Sequence, residues 1–264
     1  MNSMNSFLVI LIGFIAGIFA GLFGIGGGIV MVPALVLFAG FPLIKATGTS
    51  LAAIMLPVGI LGVLAYYRAR IVDLRAAAFL ASGLLMSVIL GAWLAHALPA
   101  EVMRRLYAIF CLYVSWTFIK PLEKLKKFRG ESYLPEPEPD ENNAPRPHFL
   151  ALIAIGLLAG LMAGMFGIGG GNIIVPFLVL FLHYPPKRAI ATSLAALLPP
   201  IGLPGVIYYY KAGTLDISIA ALLAAGLLLG TVFGARINIR LPGNRVKLLY
   251  GLFLIFVAIR FLFF

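Results

Sequence analysis

Two short tracts carry the groups best suited to holding a small polar ligand inside an otherwise apolar chain. Phe23-Gly24-Ile25-Gly26-Gly27-Gly28 recurs as Phe166-Gly167-Ile168-Gly169-Gly170-Gly171. Consecutive glycines make poor helix interior, each costing about 1 kcal/mol relative to alanine. What they offer instead is bare backbone, which lets another backbone or an anion approach closely. Each tract precedes a short apolar run. A helix that follows a glycine loop presents its positive N-terminal end to whatever sits there. Gly26, Gly27 and Gly28, with Gly169, Gly170 and Gly171, are therefore candidate substrate contacts. Thr49-Ser50 and Thr192-Ser193 follow in each half and are expected near the start of the next helix. Their hydroxyls either cap that helix or donate to a substrate oxygen. Asn172 adds an amide beside the second tract, where the first has the apolar Ile29.

The competing reading of the glycines is packing, because small residues let membrane helices touch. Duplication of the whole GIGGG run before a short segment favours a site or gate. It is not a phosphate loop, since no GK[ST] follows and no βαβ context surrounds it. No catalytic residue is assigned. The histidines His96, His148 and His183 are scattered, and the lone Cys111 excludes an internal disulfide or a CxxC site. No metal or cofactor is expected. The predicted membrane interior contains no Asp or Glu, which weakens a cation pump or proton relay. Asp73 and Asp216 fall at helix starts, where N-capping suffices. Arg236 and His96 lie near helix ends, and Tyr66, Tyr67 and Tyr208 to Tyr210 read as residues of an interfacial aromatic belt.

The elements that must position these groups come in duplicate. Shifted by 143 residues, the halves align without a gap, and 23 of the 42 positions in 21–62 match 164–205. The register continues through Tyr66 and Tyr209, Asp73 and Asp216, and Gly91 and Gly234. Shared apolarity does not explain so many matched Gly, Pro, Thr and Asp positions. The expected organisation is a first membrane repeat over 1–120, a Pro-rich acidic linker over 121–147 and a second repeat over 148–264.

Apolar runs fall near 5–23, 28–40, 46–67, 75–97 and 103–120, and again near 149–166, 171–183, 190–210, 216–239 and 245–263. A full span needs about 20 residues, and the second run of each half is short. Each half thus has five segments, or four if the first two form one kinked helix. With five, 15 of the 20 Lys and Arg residues share one side, and with four the split is 11 to 9. Because Lys and Arg favour the cytoplasmic face, five is preferred. An odd count inverts the second half relative to the first. If the short pair is a re-entrant hairpin, three crossings remain and the sidedness is unchanged. Pro57 and Pro199-Pro200 should kink or break their helices. The fold class is therefore an all-α polytopic membrane protein of two inverted repeats, with helices broken at the glycine motifs. The linker is expected in the cytoplasm and both termini outside.

Composition agrees. Of 264 residues, 62 % are hydrophobic and 11 % charged, against about 25 % charged in soluble domains. This excludes an ordinary soluble enzyme, a secreted disulfide scaffold and a disordered chain. The net charge of +11 resides in loop clusters and is not a nucleic-acid footprint.

The paired Gly-x-Gly-Gly-Gly-x-x-x-x-Pro (Gly24 to Pro33, Gly167 to Pro176), followed by Ala46-x-x-Thr49-Ser50 and Ala189-x-x-Thr192-Ser193, resembles the TauE/SafE family of sulfite exporter, or TSUP, permeases. The resemblance covers nearly the whole chain. It implies a bacterial or archaeal inner-membrane carrier for small anions such as sulfite, thiosulfate, sulfoacetate or a related organosulfonate, with a proton as a plausible coupling ion. The expected partners are that anion and the lipid bilayer. The expected function is secondary transport by alternating access, with a passive anion channel of the same architecture as the alternative. An embedded enzyme or a scaffold explains the duplicated loops poorly.

Overall fold

A computed structural model of the chain describes residues 6–56, 59–119 and 147–240, with residues 255, 256, 258, 259 and 262 near the C-terminus. The linker and Pro57 lie outside the described residues, as does most of the 245–263 run. The first repeat forms α1 (Ser6–Phe23), α2 (Gly28–Ala39), α3 (Leu43–Met55), α4 (Ile60–Arg68), α5 (Leu74–Ala97) and α6 (Ala100–Ile119). The second forms α7 (Phe149–Phe166), α8 (Gly171–Leu180), α9 (Pro186–Ala196), α10 (Leu203–Lys211) and α11 (Ile217–Arg240). The described residues are helical or loop, with no strand.

Four described helices, α1, α5, α7 and α11, are each long and apolar enough to cross a membrane, and α3 and α4 pass the same test only as a pair, bent by 47° at their break. This is a multi-pass membrane protein. Its outward faces are apolar, with Phe7, Met86, Trp93 and Trp116 exposed, as lipid contact requires. The third run of each half is broken. Pro199 and Pro200 lie between the end of α9 and the start of α10, as proline's missing N–H and fixed φ dictate.

The two dominant helix pairs join one repeat to the other: α1 packs on α11, and α7 packs on α5. Small residues set the closeness. Gly13 of α1 sits against Leu223, Gly17 against Leu227 and Gly230, and Gly21 against Thr231 and Ala235. Contacts that advance together along both chains mean parallel helices. Gly156, Gly160 and Gly164 of α7 repeat the pattern against Leu80, Leu84 and Val88 of α5. A side chain at these positions would enter the partner's backbone, so glycine every fourth residue is what permits the contact. Packing is therefore the role of this glycine series, which is distinct from the GIGGG loops.

Asp73 and Asp216 cap α5 and α11: the Oδ1 of each accepts from the backbone N–H of Ala76 (3.0 Å) and Ile219 (3.2 Å). Such a cap is worth about 1 kcal/mol.

Candidate functional site

The two glycine loops meet at the centre of the molecule. Gly24, Gly26 and Gly27 have φ of 67°, 79° and 81°, and Gly167, Gly169 and Gly170 have 66°, 80° and 79°. These are left-handed conformations that an L side chain resists, so the sequence dictates the turn. It ends α1 and starts α2 with Gly27 as N-cap, and ends α7 and starts α8 with Gly170 as N-cap. The loops cross at van der Waals distance. A Cβ on Gly28 would strike the Gly167 carbonyl and stand 2.6 Å from Ile168 Cα. One on Gly171 would strike the Gly24 carbonyl and stand 2.7 Å from Ile25 Cα. Both Gly28 and Gly171 are glycine because the opposite loop occupies the space.

Pro33 and Pro176 lie inside α2 and α8. Neither has an N–H, so the carbonyls of Ile29 and Asn172, four residues earlier, lose their intrahelical donor. Short helices with loosened first turns thus radiate from the crossing.

The Thr-Ser pairs do not start their helices. α3 begins at Leu43 and α9 at Pro186, so Thr49, Ser50, Thr192 and Ser193 lie inside them, fully buried. Proline at or before the first helical residue (Pro42, Pro185, Pro186) sets both starts upstream. Their hydroxyls bind the opposite repeat instead. Ser50 Oγ donates to the Gly167 carbonyl at 2.8 Å, and Ser193 Oγ donates to the Gly24 carbonyl at 2.8 Å. Thr192 Oγ1 accepts from the Asp73 N–H at 3.1 Å, and Thr49 Oγ1 accepts from the Asp216 N–H at 3.1 Å. All four hydroxyls lock one repeat to the other.

Two of the tyrosines are also not interfacial. Tyr66 and Tyr209 are fully buried, and their hydroxyls donate to the Gly21 carbonyl (2.7 Å) and the Gly164 carbonyl (2.9 Å). They pin the ends of α1 and α7, a role the aromatic-belt reading misses because their exposed neighbours mask it. Tyr67 and Tyr210, at 56 % and 62 % exposed, do suit a belt.

Each capping aspartate also holds a cation from the other repeat. Arg188 pairs with Asp73 at 3.2 Å, and Lys45 pairs with Asp216 at 3.3 Å. Tyr184 adds a hydroxyl to Asp73 at 3.0 Å, whereas its counterpart by the 143-residue shift is Phe41. Burial, and then the Asp73 carboxylate, hold the Tyr184 phenol above the usual tyrosine range, so it remains a donor. The sequence predicts Asp73 and Asp216 as caps, but their partners across the repeats are not legible in it.

Two cavities of about 10 Å³ flank the crossing, each barely one water in size. One touches Gly169, Leu51, Leu84 and Val88, and the other touches Gly26, Leu194, Leu227 and Thr231. They are counterparts under the repeat.

Two polar side chains stand apart from the bonded set. Asn172, on the first turn of α8, is fully buried, and neither its Oδ1 nor its Nδ2 has a hydrogen-bond partner among the described residues. Thr47 Oγ1 of α3 is in the same condition. Its backbone lies against Gly167, with Cα 2.9 Å from where a Cβ would stand. Of the two, sequence reading picks out Asn172 by its Ile29 counterpart. It misses Thr47, although the counterpart Ile190 carries the same signal.

Comparison with known proteins places these features in a family. The model of the family described as "Sulfite exporter TauE/SafE" matches residues 9–261. The "Probable membrane transporter protein YunE" of Bacillus subtilis (strain 168) is 27 % identical over 97 % of this chain and 96 % of its own length. Probable membrane transporter proteins of Methanocaldococcus jannaschii and Haemophilus influenzae are 26 % and 28 % identical, over 92 % and 96 % of this chain and 90 % and 96 % of theirs. No solved structure matches the chain.

Proposed function

Since the chain belongs to the sulfite exporter TauE/SafE family of membrane transporters, we propose that it carries a small sulfur-containing anion across the inner membrane by alternating access. The candidate anions are sulfite, thiosulfate, sulfoacetate and related organosulfonates. The observation that carries this reading is the crossing of the two glycine loops, which sets the N-terminal ends of α2 and α8 around one buried point. Two such ends, each equivalent to about half a positive charge, suit an anion. No Asp or Glu is among the buried residues described. Substrate contact is assigned to Gly26, Gly27, Gly28, Gly169, Gly170, Gly171 and Asn172. Thr49, Ser50, Thr192 and Ser193 serve it indirectly, by closing the loops when the repeats meet.

The halves act as inverted repeats. Support comes from following contacts along the helices. α1 ends beside Gly24, which Ser193 binds, next to Thr192 at the start of α5. α7 ends beside Gly167, which Ser50 binds, next to Thr49 at the start of α11. With α1 parallel to α11 and α7 parallel to α5, these junctions make α1 and α7 run oppositely. α2 and α8 then turn back as re-entrant arms. The Asp73–Arg188 pair lies on the Lys/Arg-rich side, with the linker of 121–147 in the cytoplasm, and the Asp216–Lys45 pair lies on the other, with both termini. Transport opens one aspartate cluster at a time, with the glycine-packed pairs α1–α11 and α5–α7 each moving as a unit, driven by a coupling ion such as a proton.

The test is thermal stability of the detergent-purified protein against sulfite, thiosulfate, sulfoacetate, taurine, acetate, phosphate and sulfate at matched ionic strength. A ligand at a hundredfold excess over Kd stabilises by about 2.7 kcal/mol. A selective rise with a sulfur anion, followed by saturable counterflow in vesicles, is the expected result. No rise with any anion overturns the site.

A further inference from the structure

One hydrogen-bonded chain between the repeats has no counterpart under the duplication. His96 lies in the last turn of α5, and the 143-residue shift pairs it with Ile239. Thr214, between α10 and α11, is paired with Ile71. His96 Nδ1 is 2.9 Å from the Ala92 carbonyl, and Nε2 is 2.9 Å from Thr214 Oγ1. Thr214 Oγ1 in turn donates to the Tyr209 carbonyl at 3.3 Å. A carbonyl only accepts, so Nδ1 carries a proton. The Thr214 hydrogen is already given to Tyr209, so the Nε2 bond needs a second ring proton. All three bonds coexist only in the imidazolium. A neutral ring protonated at Nδ1 keeps two, because Thr214 must turn its hydrogen to Nε2 and release Tyr209. The Tyr208 and Tyr209 rings pack on the imidazole, with centroids 5.1 and 4.8 Å away. Nearby charges are paired elsewhere: Asp216, two residues past Thr214, with Lys45, and Glu101, past the end of α5, with Arg104 and Arg105. Lys211, at the end of α10, is exposed.

We infer that His96 is a proton-binding site that latches one end of the molecule: with its proton bound, it ties α5 to the connection between α10 and α11. The bond crosses between the two glycine-packed pairs, because His96 belongs to α5 and Thr214 leads into α11. It lies at the end of the Asp216–Lys45 pair, which faces outside on the topology proposed above. Gly48 of α3 closes on the same place: a Cβ there would stand 2.5 Å from the Thr214 carbonyl oxygen and 2.7 Å from the Tyr209 ring. Imidazole gains and loses its proton within the physiological pH range. Acid outside therefore adds one bond to the closed end, and alkali removes it. The proton comes from the outside water and returns there, so the site senses outside pH and does not itself power transport. Ile71 and Ile239 make no such latch at the other end. That the latch governs a transport gate rests on the alternating-access reading; the proton site does not.

The experiment uses the full-length protein in detergent, with Cys111 replaced and a single cysteine at one of two equivalent half-buried positions. These are Leu215→Cys beside Thr214 and Val72→Cys beside Ile71. Each rate of labelling by a soluble maleimide is divided by that of an exposed reference, Lys211→Cys or Arg68→Cys, which removes the pH dependence of the thiol. From about pH 5 to about pH 8, where imidazole loses its charge, the Leu215→Cys ratio should rise about tenfold, the worth of one hydrogen bond to a charged group. The Val72→Cys ratio should stay flat. Adding His96→Gln or Thr214→Val should flatten the Leu215→Cys ratio, whereas Thr214→Ser, which keeps the hydroxyl, should preserve the rise. A flat ratio with His96 present overturns the latch. So does a rise that survives His96→Gln, or an equal rise at Val72→Cys. Loss of the rise in Thr214→Ser as well as in Thr214→Val means that disturbed packing explains the effect, and also overturns it. The expected rise in a protein whose Tm responds to no anion supports the latch and counts against the carrier reading alone.

Discussion

In the first repeat, Lys45 reaches Asp216 beside Phe41; in the second, Arg188 reaches Asp73 beside Tyr184. The positions are equivalent, the bonds that the Asp216 and Asp73 N–H groups donate to Thr49 and Thr192 are equal in length, and the cation stands over its aromatic ring in both. Only the second offers Asp73 a phenol hydroxyl and a planar guanidinium. The same contrast appears at the crossing, where Asn172 is the counterpart of Ile29 and Thr47 that of Ile190. The comparison separates two layers of design. Backbone geometry at the glycine loops, which makes the fold close, is kept nearly the same in both repeats. Side-chain polarity, which can prefer one ligand pose or one side of the membrane, is allowed to differ.

The strongest way to break that comparison is at the shared layer. Gly28→Ala and Gly171→Ala each push a Cβ into the backbone of the opposite loop. Each should lower stability by about 2–3 kcal/mol and abolish flux in vesicles, by the same amount in both repeats. Gly27→Leu and Gly170→Leu, which place a side chain at φ of 81° and 79°, should also stop flux with protein still in the membrane. Normal flux in both Leu variants would remove the loops from the mechanism. Tyr66→Phe and Tyr209→Phe test the next level. Loss of a buried donor to Gly21 or Gly164 should cost about 1–2 kcal/mol each, seen as matched falls in Tm. Unequal falls would show that the repeats do not share this brace.

The smallest expected effect sharpens the difference instead. Tyr184→Phe makes the Asp73 cluster resemble the Asp216 cluster and should cost about 0.5–1.5 kcal/mol. Arg188→Lys should cost less, because the pair is partly exposed and such pairs are worth about 0.2–1 kcal/mol. With Tyr184→Phe, cysteine labelling beside Asp73 should rise toward the level found beside Asp216, using a chain lacking Cys111. Equal labelling of both clusters in the wild type would mean that the side-chain asymmetry does not bias the gates.

Much of this architecture is legible in the order of the residues. Gly-Gly-Gly after a long apolar run cannot continue a helix, so the breaks at Gly24–Gly27 and Gly167–Gly170 are forced. Asp73 and Asp216 read as caps because a carboxylate ahead of an apolar run has that local use. Thr49 and Thr192 look like helix starts and are not, since the start is set by Pro42 and Pro185 several residues earlier. Tyr66 and Tyr209 look like belt residues and are not, because exposure alternates within a single turn. A buried tyrosine beside an exposed one carries no distinguishing mark in sequence.

The chain by itself determined the membrane class, the duplication, the broken helices and the asymmetry of Asn172 against Ile29, because hydropathy, glycine φ and repeat register are local properties. It did not determine that α1 pairs with α11 and α7 with α5, nor that Ser50 and Ser193 hold the opposite loops. Those contacts join residues more than a hundred positions apart, and only the folded chain decides which equivalent surface each repeat receives. Whether a buried hydroxyl is bonded or left over, as at Thr47, was settled at that same step.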